Sequence, residues 1–440
     1  MHRKRYGFWI VLIAALLLTG CSMRTVDEMY CLPKRSEDYK DLQSAIDGAM
    51  AGLEYCAPLT GENQQTVQMA DLDGDGAQEY LLFAKGGSER PMRILIFDEQ
   101  QQTFVHMTTI ESNGSAFDLV EYVQMDGKPG LELVVGCQLS DQLIRSVSVY
   151  SYAAGEVEKL VSTNYTKFVT IDLDSDSKTD LFVLRPGQTE TDNGIAELYF
   201  SKDGVIERSN EVNLSGPVDK LKRIISGKLY GGEPAVYVAS SVEGTALITD
   251  VYACFDSVLN NVSLSNESGT SVKTLRNYYV YADDIDNDGI IELPDLIKMP
   301  PLSGGSGAER HDLIRWYSMD AAGAEVDKVY TYHNFVGGWH VELSSTWGPR
   351  LAVNQQGSQY DFHIMSEDFT QSNKVFSVYA LTGSIRDDLA VQDGRFVLLK
   401  TESVTYCGRL YDTAAEYEIT QDVLIRGFRL IQQDWKTGET

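Results

Sequence analysis

The chain carries, at residues 71 to 79, the sequence Asp71-Leu72-Asp73-Gly74-Asp75-Gly76-Ala77-Gln78-Glu79. Carboxylates stand at positions 1, 3, 5 and 9 of this stretch, and a glycine stands at position 6, where the backbone must turn sharply. A hard cation such as Ca2+ takes about six to eight oxygen ligands, and alternating acidic side chains in a tight loop can supply them. The stretch is therefore a candidate calcium loop.

The same spacing occurs again at residues 172–180 and at residues 284–292, although Ser177 replaces the glycine in the second loop. Three loops with one spacing favour metal binding. Aspartate and glycine also build ordinary turns, so acidic hairpin turns without a metal are the alternative interpretation. The candidate ligands at positions 1, 3, 5 and 9 are Asp71, Asp73, Asp75, Glu79, Asp172, Asp174, Asp176, Asp180, Asp284, Asp286, Asp288 and Glu292.

The flanks of these loops favour strands over the helices of an EF-hand. An EF-hand also needs an acid at position 12. This position is Leu82 in the first loop and Val183 in the second, and only the third loop has an acid there, Asp295. Apolar residues typical of strands flank the loops, as in residues 80–83 and 168–171. The pattern predicts strand–loop–strand hairpins.

The loops resemble the calcium loops of FG-GAP and VCBS repeats, which build β-propellers such as the head of integrin α subunits. The resemblance covers roughly residues 60 to 335. It implies that the twelve acids of the three loops bind Ca2+. The chain departs from the family pattern because the Phe-Gly and Gly-Ala-Pro marks are not evident and alternate units lack the acids.

The chain also repeats with a period of about fifty residues from Gln64 onward. The first two acidic loops begin at residues 71 and 172, about two periods apart, and a degenerate unit around Asp126-Gly127 lies between them. Each unit contains about four strand-like segments. We predict a mainly β fold in which residues 61–335 form a β-propeller of about five four-stranded blades, since radial repetition protects sheet edges.

Two further regions flank the predicted propeller. Residues 21–60 are predicted to contain a tether and one amphipathic helix over residues 36–53, with Ser36 as its N-cap. Residues 336–440 have strand-like segments of uneven spacing and two helical segments, at 384–391 and 420–430. We predict that they form a separate α+β domain, within which a sixth blade is an open alternative.

Residues 1–20 have the features of an export signal, with basic residues 2–5 followed by an apolar segment over residues 8–18. The end of this segment, Leu18-Thr19-Gly20-Cys21, resembles a bacterial lipobox. The resemblance implies that Cys21 is diacylated, for example with palmitate, and anchors the protein on the extracytoplasmic face of the cell membrane. An uncleaved N-terminal anchor is the alternative.

The formal net charge is −27, from 64 acidic and 37 basic residues. This balance disfavours nucleic acid as a partner, because nucleic-acid binding needs clustered Lys and Arg. Four arginines lie in predicted loops at the blade ends opposite the metals, where they could bind an anionic cell-wall polymer or an acidic surface protein. The alternative is solvated loop charge balanced by nearby acids. These arginines are Arg90, Arg145, Arg185 and Arg310.

The cysteines suggest one disulfide at most. Cys31 and Cys56 bracket a short N-terminal segment and could pair in an oxidising compartment. Cys137, Cys254 and Cys407 lie in or beside apolar strand-like segments, and we predict that they are buried thiols.

Motifs of common enzymes are absent from the sequence, including GxSxG, the P-loop, HExxH and the dinucleotide fingerprint. The first hypothesis is therefore a lipid-anchored surface protein whose calcium-loaded propeller serves as a binding or scaffolding module. The alternative is an extracellular enzyme that acts on glycans and uses calcium structurally. Its paired carboxylates would be recognisable only from their separation in space.

Overall fold

The structure is a computed structural model that describes residues 37–139, 144–187, 189, 192–244, 246–302 and 312–431. Its strands form six antiparallel sheets, which we number in chain order. The predicted mainly β class is confirmed. In the described ranges, no helix combines the length and the apolar character needed to cross a bilayer.

The first and second sheets are built from consecutive segments of chain. The first sheet has the order β1-β3-β4-β5, and β2 pairs with β3. Its strands are β1 (Glu54–Tyr55), β2 (Val67–Ala70), β3 (Glu79–Lys85), β4 (Met92–Gln100) and β5 (Thr103–Ser112). The second sheet follows the sequence order of β6 (Ala116–Val123), β7 (Glu132–Gln138), β8 (Arg145–Ala153) and β9 (Glu156–Tyr165).

The third and fourth sheets continue this pattern. The third contains, in order, β10 (Lys167–Ile171), β11 (Asp180–Arg185), β12 (Ile195–Lys202) and β13 (Val205–Arg208), and β14 (Val212–Asn213) pairs with β12. The fourth contains β15 (Leu221–Lys228), β16 (Pro234–Ser241), β17 (Leu247–Phe255) and β18 (Val258–Asn261). Short 3-10 turns connect elements at Val218–Lys220, Val272–Thr274, Gly348–Arg350 and Asp412–Tyr417.

The fifth and sixth sheets include the C-terminal part of the chain. The fifth contains β19 (Leu293–Lys298), β20 (Asp312–Met319), β21 (Glu325–Asn334), β22 (Trp339–Leu343) and, beside β22, the late strand β28 (Phe428–Leu430). The sixth has the order β23-β24-β25-β27-β26. Its strands are β23 (Leu351–Gln356), β24 (Gln359–Met365), β25 (Ser372–Leu381), β26 (Arg395–Lys400) and β27 (Thr405–Leu410).

Sheets that follow one another in the chain share hydrophobic cores. In the described part of the chain, none of these cores joins the sixth sheet to the first. Aromatic rings from adjacent sheets meet with centroids about 5 Å apart, at Phe83–Phe117 (5.2 Å), Tyr165–Phe168 (5.0 Å), Phe182–Tyr252 (5.3 Å) and Tyr332–Phe362 (5.1 Å).

The first sheet is buried on both faces, which explains the continuous apolar run in β3. Phe83 packs into the core shared with the second sheet, whereas Leu82 packs on the other face against helix α1 (Glu37–Ala49). Leu42 and Ile46 of α1 contribute to that outer core. The predicted N-terminal amphipathic helix is confirmed but ends at Ala49 instead of residue 53, and its predicted N-cap, Ser36, lies outside the described residues. The helix covers the outer face of the first sheet.

The C-terminal region is divided between two sheets. The predicted boundary after residue 335 falls between β21 and β22, which pair antiparallel from Tyr330–Leu343 to Asn334–Trp339. Its helical segments are short: α2 (Arg386–Leu389) and α3 (Gln421–Gly427). The Thr420 hydroxyl caps α3 by accepting a hydrogen bond from the Val423 N–H at 3.2 Å.

Candidate metal centres

The three acidic loops lie where the sequence predicts them, in turns of the β structure. The first connects β2 to β3 and the second connects β10 to β11, each within an antiparallel pair. The third is closed by an isolated antiparallel bridge between Asp283 and Glu292, and β19 follows it directly. For the first two loops, the predicted strand flanks are confirmed.

In each loop, the carboxylates at positions 1, 3 and 9 converge. One oxygen from each of the three residues lies within 4.8 Å of the others, so a single cation can reach all three. The three clusters are Asp71, Asp73 and Glu79; Asp172, Asp174 and Asp180; and Asp284, Asp286 and Glu292.

The position 5 acids stand apart from these clusters, although the sequence pattern groups all four positions together. Each uses one oxygen to accept a hydrogen bond from the backbone N–H two residues later. The N–O distances are 2.7 Å for Asp75, 2.8 Å for Asp176 and 2.9 Å for Asp288. These residues stabilise the turn, and this is a role that spacing alone does not reveal.

The position 1 aspartates hold the loop backbone around the cluster. The Asp71 carboxylate accepts hydrogen bonds from the Gly74 N–H at 2.7 Å and the Gly76 N–H at 3.2 Å. Asp172 accepts from the N–H groups of Asp176 at position 5 and Ser177 at position 6, at 3.1 and 3.0 Å. The two loops therefore share the hydrogen bond from the position 6 N–H to the position 1 carboxylate.

The second loop has positive φ angles at positions 4 and 6, as the first loop does, but without glycine. Gly74 and Gly76 of the first loop have φ angles of +76° and +90°. The equivalent residues of the second loop, Ser175 and Ser177, have φ angles of +62° and +69°. Residues with a side chain are strained in this region, so the second loop is the less stable of the two.

The position 9 acids are the most buried members of the clusters. The exposed fraction is 0% for Glu79 and 1% for Asp180. One oxygen of each accepts the backbone N–H of loop position 2, from Leu72 at 2.6 Å and from Leu173 at 2.9 Å. The second oxygens, Glu79 Oε1 and Asp180 Oδ1, have no hydrogen-bond partner among the described residues.

A buried, unpartnered carboxylate oxygen is costly unless a cation or a proton compensates it. Burial raises the pKa of Glu79 to about 7 and the pKa of Asp180 to about 8, and neighbouring aspartates act in the same direction. A divalent cation at the cluster would instead favour the ionised carboxylates. The first two loops therefore have the oxygen donors and the uncompensated negative charge of cation sites.

The third loop already contains a positive group. Glu292 is fully buried, but its two oxygens accept hydrogen bonds from the Ile285 N–H at 3.1 Å and the Ser318 hydroxyl at 2.9 Å. Lys328 Nζ forms an ion pair with Asp288 and lies 3.8 Å from Glu292 Oε1. Its hydrogen bond lowers the pKa of Asp288.

A fourth loop of the same build lies in the second sheet, at residues 124–132. The Gln124 side-chain oxygen accepts the Gly127 N–H at 2.8 Å, and Glu132 accepts the Met125 N–H at 2.6 Å. At position 5, Lys128 pairs with Asp126 at 2.8 Å. The sequence predicts this degenerate unit but not the role of Glu132. The spacing of eight residues between Gln124 and Glu132, which matches positions 1 and 9 of the acidic loops, indicates that role.

Three of these four loops, at residues 71–79, 124–132 and 172–180, lie side by side at one end of their sheets. The Leu131 N–H donates to the Asp71 carbonyl at 3.0 Å, and the Thr179 N–H donates to the Gln124 carbonyl at 2.7 Å. A Cβ added to Gly74 would lie 2.4 Å from the backbone nitrogen of Gly130, so this contact requires glycine.

Two of the four candidate ligand-binding arginines are paired with carboxylates. Arg145 lies 3.4 Å from Asp118, and Arg185 lies 3.2 Å from the fully buried Glu197. Arg90 is exposed. Arg310 lies outside the described residues. The structure therefore places Arg145 and Arg185 in balanced charge pairs.

The cysteine predictions are resolved in part. Cys137, Cys254 and Cys407 are buried free thiols, as the sequence predicts. Cys56 is half-buried, and its pairing with Cys31 stays a prediction because Cys31 lies outside the described residues. The candidate lipidation residue Cys21 also lies outside them.

A small cavity adjoins the fourth sheet. It is open to solvent on one side and too narrow to hold a water molecule. Its lining residues include no carboxylate and are Arg223, Ile225, Tyr237, Ala239, Thr249, Tyr281 and Ala282. This cavity therefore lacks the paired acids of a glycoside hydrolase.

Comparisons with known proteins leave the family open. No family profile and no curated protein matches the chain. Among solved structures, the exotype rhamnogalacturonan lyase YesX is 13% identical with a TM-score of 0.25, and the match covers 74% of this chain and 63% of the lyase. The chain thus spans less than two thirds of that protein.

Two further solved structures are similarly remote. A protein from Lactobacillus plantarum is 11% identical with a TM-score of 0.27, covering 72% of this chain and 85% of that one. The rhamnogalacturonan lyase PL11 of Bacillus licheniformis is 14% identical with a TM-score of 0.24, covering 70% and 59%. Likenesses this weak carry no argument about fold or activity.

Proposed function

We propose that this chain is a lipid-anchored, extracytoplasmic calcium-binding protein whose β-repeats serve as a binding or scaffolding module at the cell surface. One observation carries the calcium part of the proposal. Glu79 Oε1 and Asp180 Oδ1 are buried without a hydrogen-bond partner among the described residues, each beside two aspartates at matching loop positions. A cation held by the cluster would compensate such an oxygen.

Calcium suits these donors better than other common metals. All candidate ligands are carboxylate oxygens, and no histidine or cysteine belongs to the three clusters. Hard oxygen donors favour Ca2+ or Mg2+ over zinc and copper. Mg2+ demands near-ideal octahedral geometry, whereas Ca2+ accepts the irregular arrangement of a short acidic loop.

We further propose that the sheets are blades of a β-propeller. Support comes from the first four sheets, which are meanders of consecutive strands, and from the cores that join each sheet to the next in chain order. The sequence predicts about five blades, but the structure has six sheets, because the C-terminal segment forms an additional sheet. A propeller leaves loops at both ends of its blades for ligand contacts.

The proposed anchor is the acylated Cys21, on the strength of its lipobox resemblance. The proposed ligand is an anionic wall polymer or an acidic surface protein. Exposed Arg90 is a candidate contact, and so is Arg310. Arg145 and Arg185 would act there only if their carboxylate pairs left part of the guanidinium accessible. The lining of the cavity at the fourth sheet contains no carboxylate pair that would support the glycan-active alternative.

Thermal unfolding of the purified full-length chain with 1 mM Ca2+ or with EDTA tests the calcium proposal. A site with a Kd of about 0.1 mM contributes about 1.4 kcal/mol at ~1 mM Ca2+. EDTA should therefore lower the Tm. Asp73→Asn should remove most of one site's share, because Asp73 belongs to the first cluster.

Asp75→Asn is the matched control in the same loop. Asp75 lies outside the cluster, and asparagine can keep its hydrogen bond to the Ala77 N–H. The calcium-dependent rise in Tm should survive this change. Melting curves that are identical with Ca2+ and EDTA would refute the calcium proposal.

A further inference from the structure

The third acidic loop receives a lysine from another element of the fifth sheet. Lys328 lies on β21, and its side chain is only 16% exposed. Its Nζ lies 3.7 Å from Asp286 and 3.8 Å from Glu292, and it also forms an ion pair with Asp288. Two of these three carboxylates belong to the candidate metal cluster. The ammonium therefore occupies the region that a cation would enter.

The other acidic loops differ from the third in this respect. Among the ion pairs of the described residues, none involves Asp71, Asp73 or Glu79. In the second loop, Lys178 pairs with Asp176 at position 5, outside the candidate cluster. Among the described residues, a lysine reaches cluster members at positions 3 and 9 only in the third loop.

The hydrogen bonds of the position 9 acids also distinguish the third loop from the first two. Glu79 and Asp180 each keep one buried oxygen without a partner in the described part of the chain. Both oxygens of Glu292 have donors, from Ile285 and Ser318. In the third loop, protein groups thus supply donors to both Glu292 oxygens and one positive charge near the cluster, whereas Glu79 and Asp180 each keep an unpartnered oxygen among the described residues.

The loop at residues 124–132 shows that a lysine can support this backbone conformation. There Lys128 pairs with the buried Asp126, and Glu132 keeps the same bond to the position 2 N–H. That loop has Gln124 at position 1 and a lysine at position 5, so it holds its shape through an internal ammonium.

We propose that Lys328 is an affinity-determining residue that competes with the divalent cation for the third loop. This inference rests on the proposed calcium function. A divalent cation and an ammonium repel one another at these distances, so calcium must displace Lys328 before it can bind Asp286 and Glu292. The first two loops fill at lower calcium concentrations, and the third fills last.

Equilibrium dialysis of the purified full-length chain with 45Ca2+ tests the proposal. The wild type should bind two ions in a first phase and a third with at least about tenfold weaker affinity. Lys328→Met keeps the length and the apolar stem but removes the charge. It should strengthen the third site by about tenfold or more, the reverse of the usual effect of removing a charged residue.

Lys178→Met is the matched control, because Lys178 pairs with a residue outside its cluster. It should change calcium affinity by less than about threefold. Glu292→Gln added to Lys328→Met should abolish the gain, which assigns the gain to the third loop. Circular dichroism checks that each variant is folded, and Lys328→Gln replaces Lys328→Met if the latter does not fold.

The possible outcomes separate this inference from the function on which it rests. Three equal sites in the wild type, unchanged by Lys328→Met or Lys328→Gln, would overturn the role of Lys328 and leave the calcium function intact. Absence of calcium binding in the wild type and in every variant would overturn both. A gain that survives Glu292→Gln would also contradict the inference.

Discussion

Glu79 and Asp180 hold the same loop position, and each is the first residue of a strand. Their side chains therefore enter the packing between sheets, whereas Asp71 and Asp73 stay half-exposed on the loop. The sequence predicts an acid at position 9, but its burial depends on how neighbouring sheets pack. That burial leaves Glu79 Oε1 unpartnered among the described residues and makes it the most informative atom of the first site.

The proposed lipid anchor depends on a single residue, Cys21. Cys21→Ala removes the only cysteine of the lipobox-like sequence, so the precursor should stay uncleaved or the protein should leave the membrane fraction. Immunoblots of membrane and soluble fractions measure this, with Cys56→Ala as the matched control. A Cys21→Ala protein that is processed and fractionates like the wild type would rule the anchor out.

Buried histidines predict a pH dependence of stability. His340 stacks on His333 with ring centroids 4.7 Å apart, and burial together with nearby Arg429 lowers its pKa from 6.5 to about 4. The unfolded state binds the proton more tightly, so stability present above pH 6.5 is lost as the pH falls towards 4.

The variant His340→Gln isolates this effect. Relative to the variant, the wild type should lose about 3 kcal/mol of unfolding free energy between pH 6.5 and pH 4. Urea unfolding of both proteins across this range measures the difference. A constant difference at all pH values would show that His340 does not titrate in this way.

At the scale of elements, local pattern predicts hairpins well and long-range pairing poorly. The alternation around the first two loops predicts β2–β3 and β10–β11, because cross-strand neighbours there are close in sequence. The change in sequence pattern near residue 336 predicts that β22 belongs to a separate domain. It pairs with β21, and β28 joins it from far along the chain, a contact that no local pattern encodes.

The second loop offers a prediction about backbone strain. Ser177 has a φ angle of +69°, where the first loop has Gly76. Ser177→Gly should stabilise the protein by about 1 kcal/mol and tighten calcium binding at the second loop, since glycine adopts this conformation without steric cost.

Gly76→Ala is the reciprocal change in the first loop, where it should cost about 1 kcal/mol. Chemical unfolding curves with and without Ca2+ measure both variants. If Ser177→Gly left stability and calcium affinity unchanged, strain would not explain a difference between the two loops.

At the scale of the whole molecule, the repeat was predictable for the first part of the chain and obscured at its end. The sixth sheet has the order β25-β27-β26, and helix α2 is inserted between β25 and β26. These features break the period of about fifty residues, so the segment resembles a separate α+β domain in sequence. The structure instead joins it to the fifth sheet through one hydrophobic core.

That core predicts how the C-terminal end stabilises the molecule. Phe428 of β28 is 1% exposed and stacks on Trp339 of β22, with ring centroids 5.4 Å apart. Phe428→Ala should lower the unfolding free energy by about 3–5 kcal/mol, because it leaves a cavity between the fifth and sixth sheets.

Val423→Ala is the matched control, because Val423 is exposed on α3 and its loss should be nearly neutral. Guanidinium unfolding curves measure both variants. A cost for Phe428→Ala no larger than that for Val423→Ala would contradict the role given to β28.

The central claim is that the first and second loops bind calcium through their position 1, 3 and 9 carboxylates. A crystal structure of the protein grown with ~5 mM CaCl2 tests it most directly, through anomalous density. We predict an ion about 2.3–2.6 Å from oxygens of Asp71, Asp73 and Glu79, including Glu79 Oε1, and an equivalent ion in the second loop. Both loops empty under these conditions, with Glu79 Oε1 bound to a protein or water hydrogen, would contradict the claim.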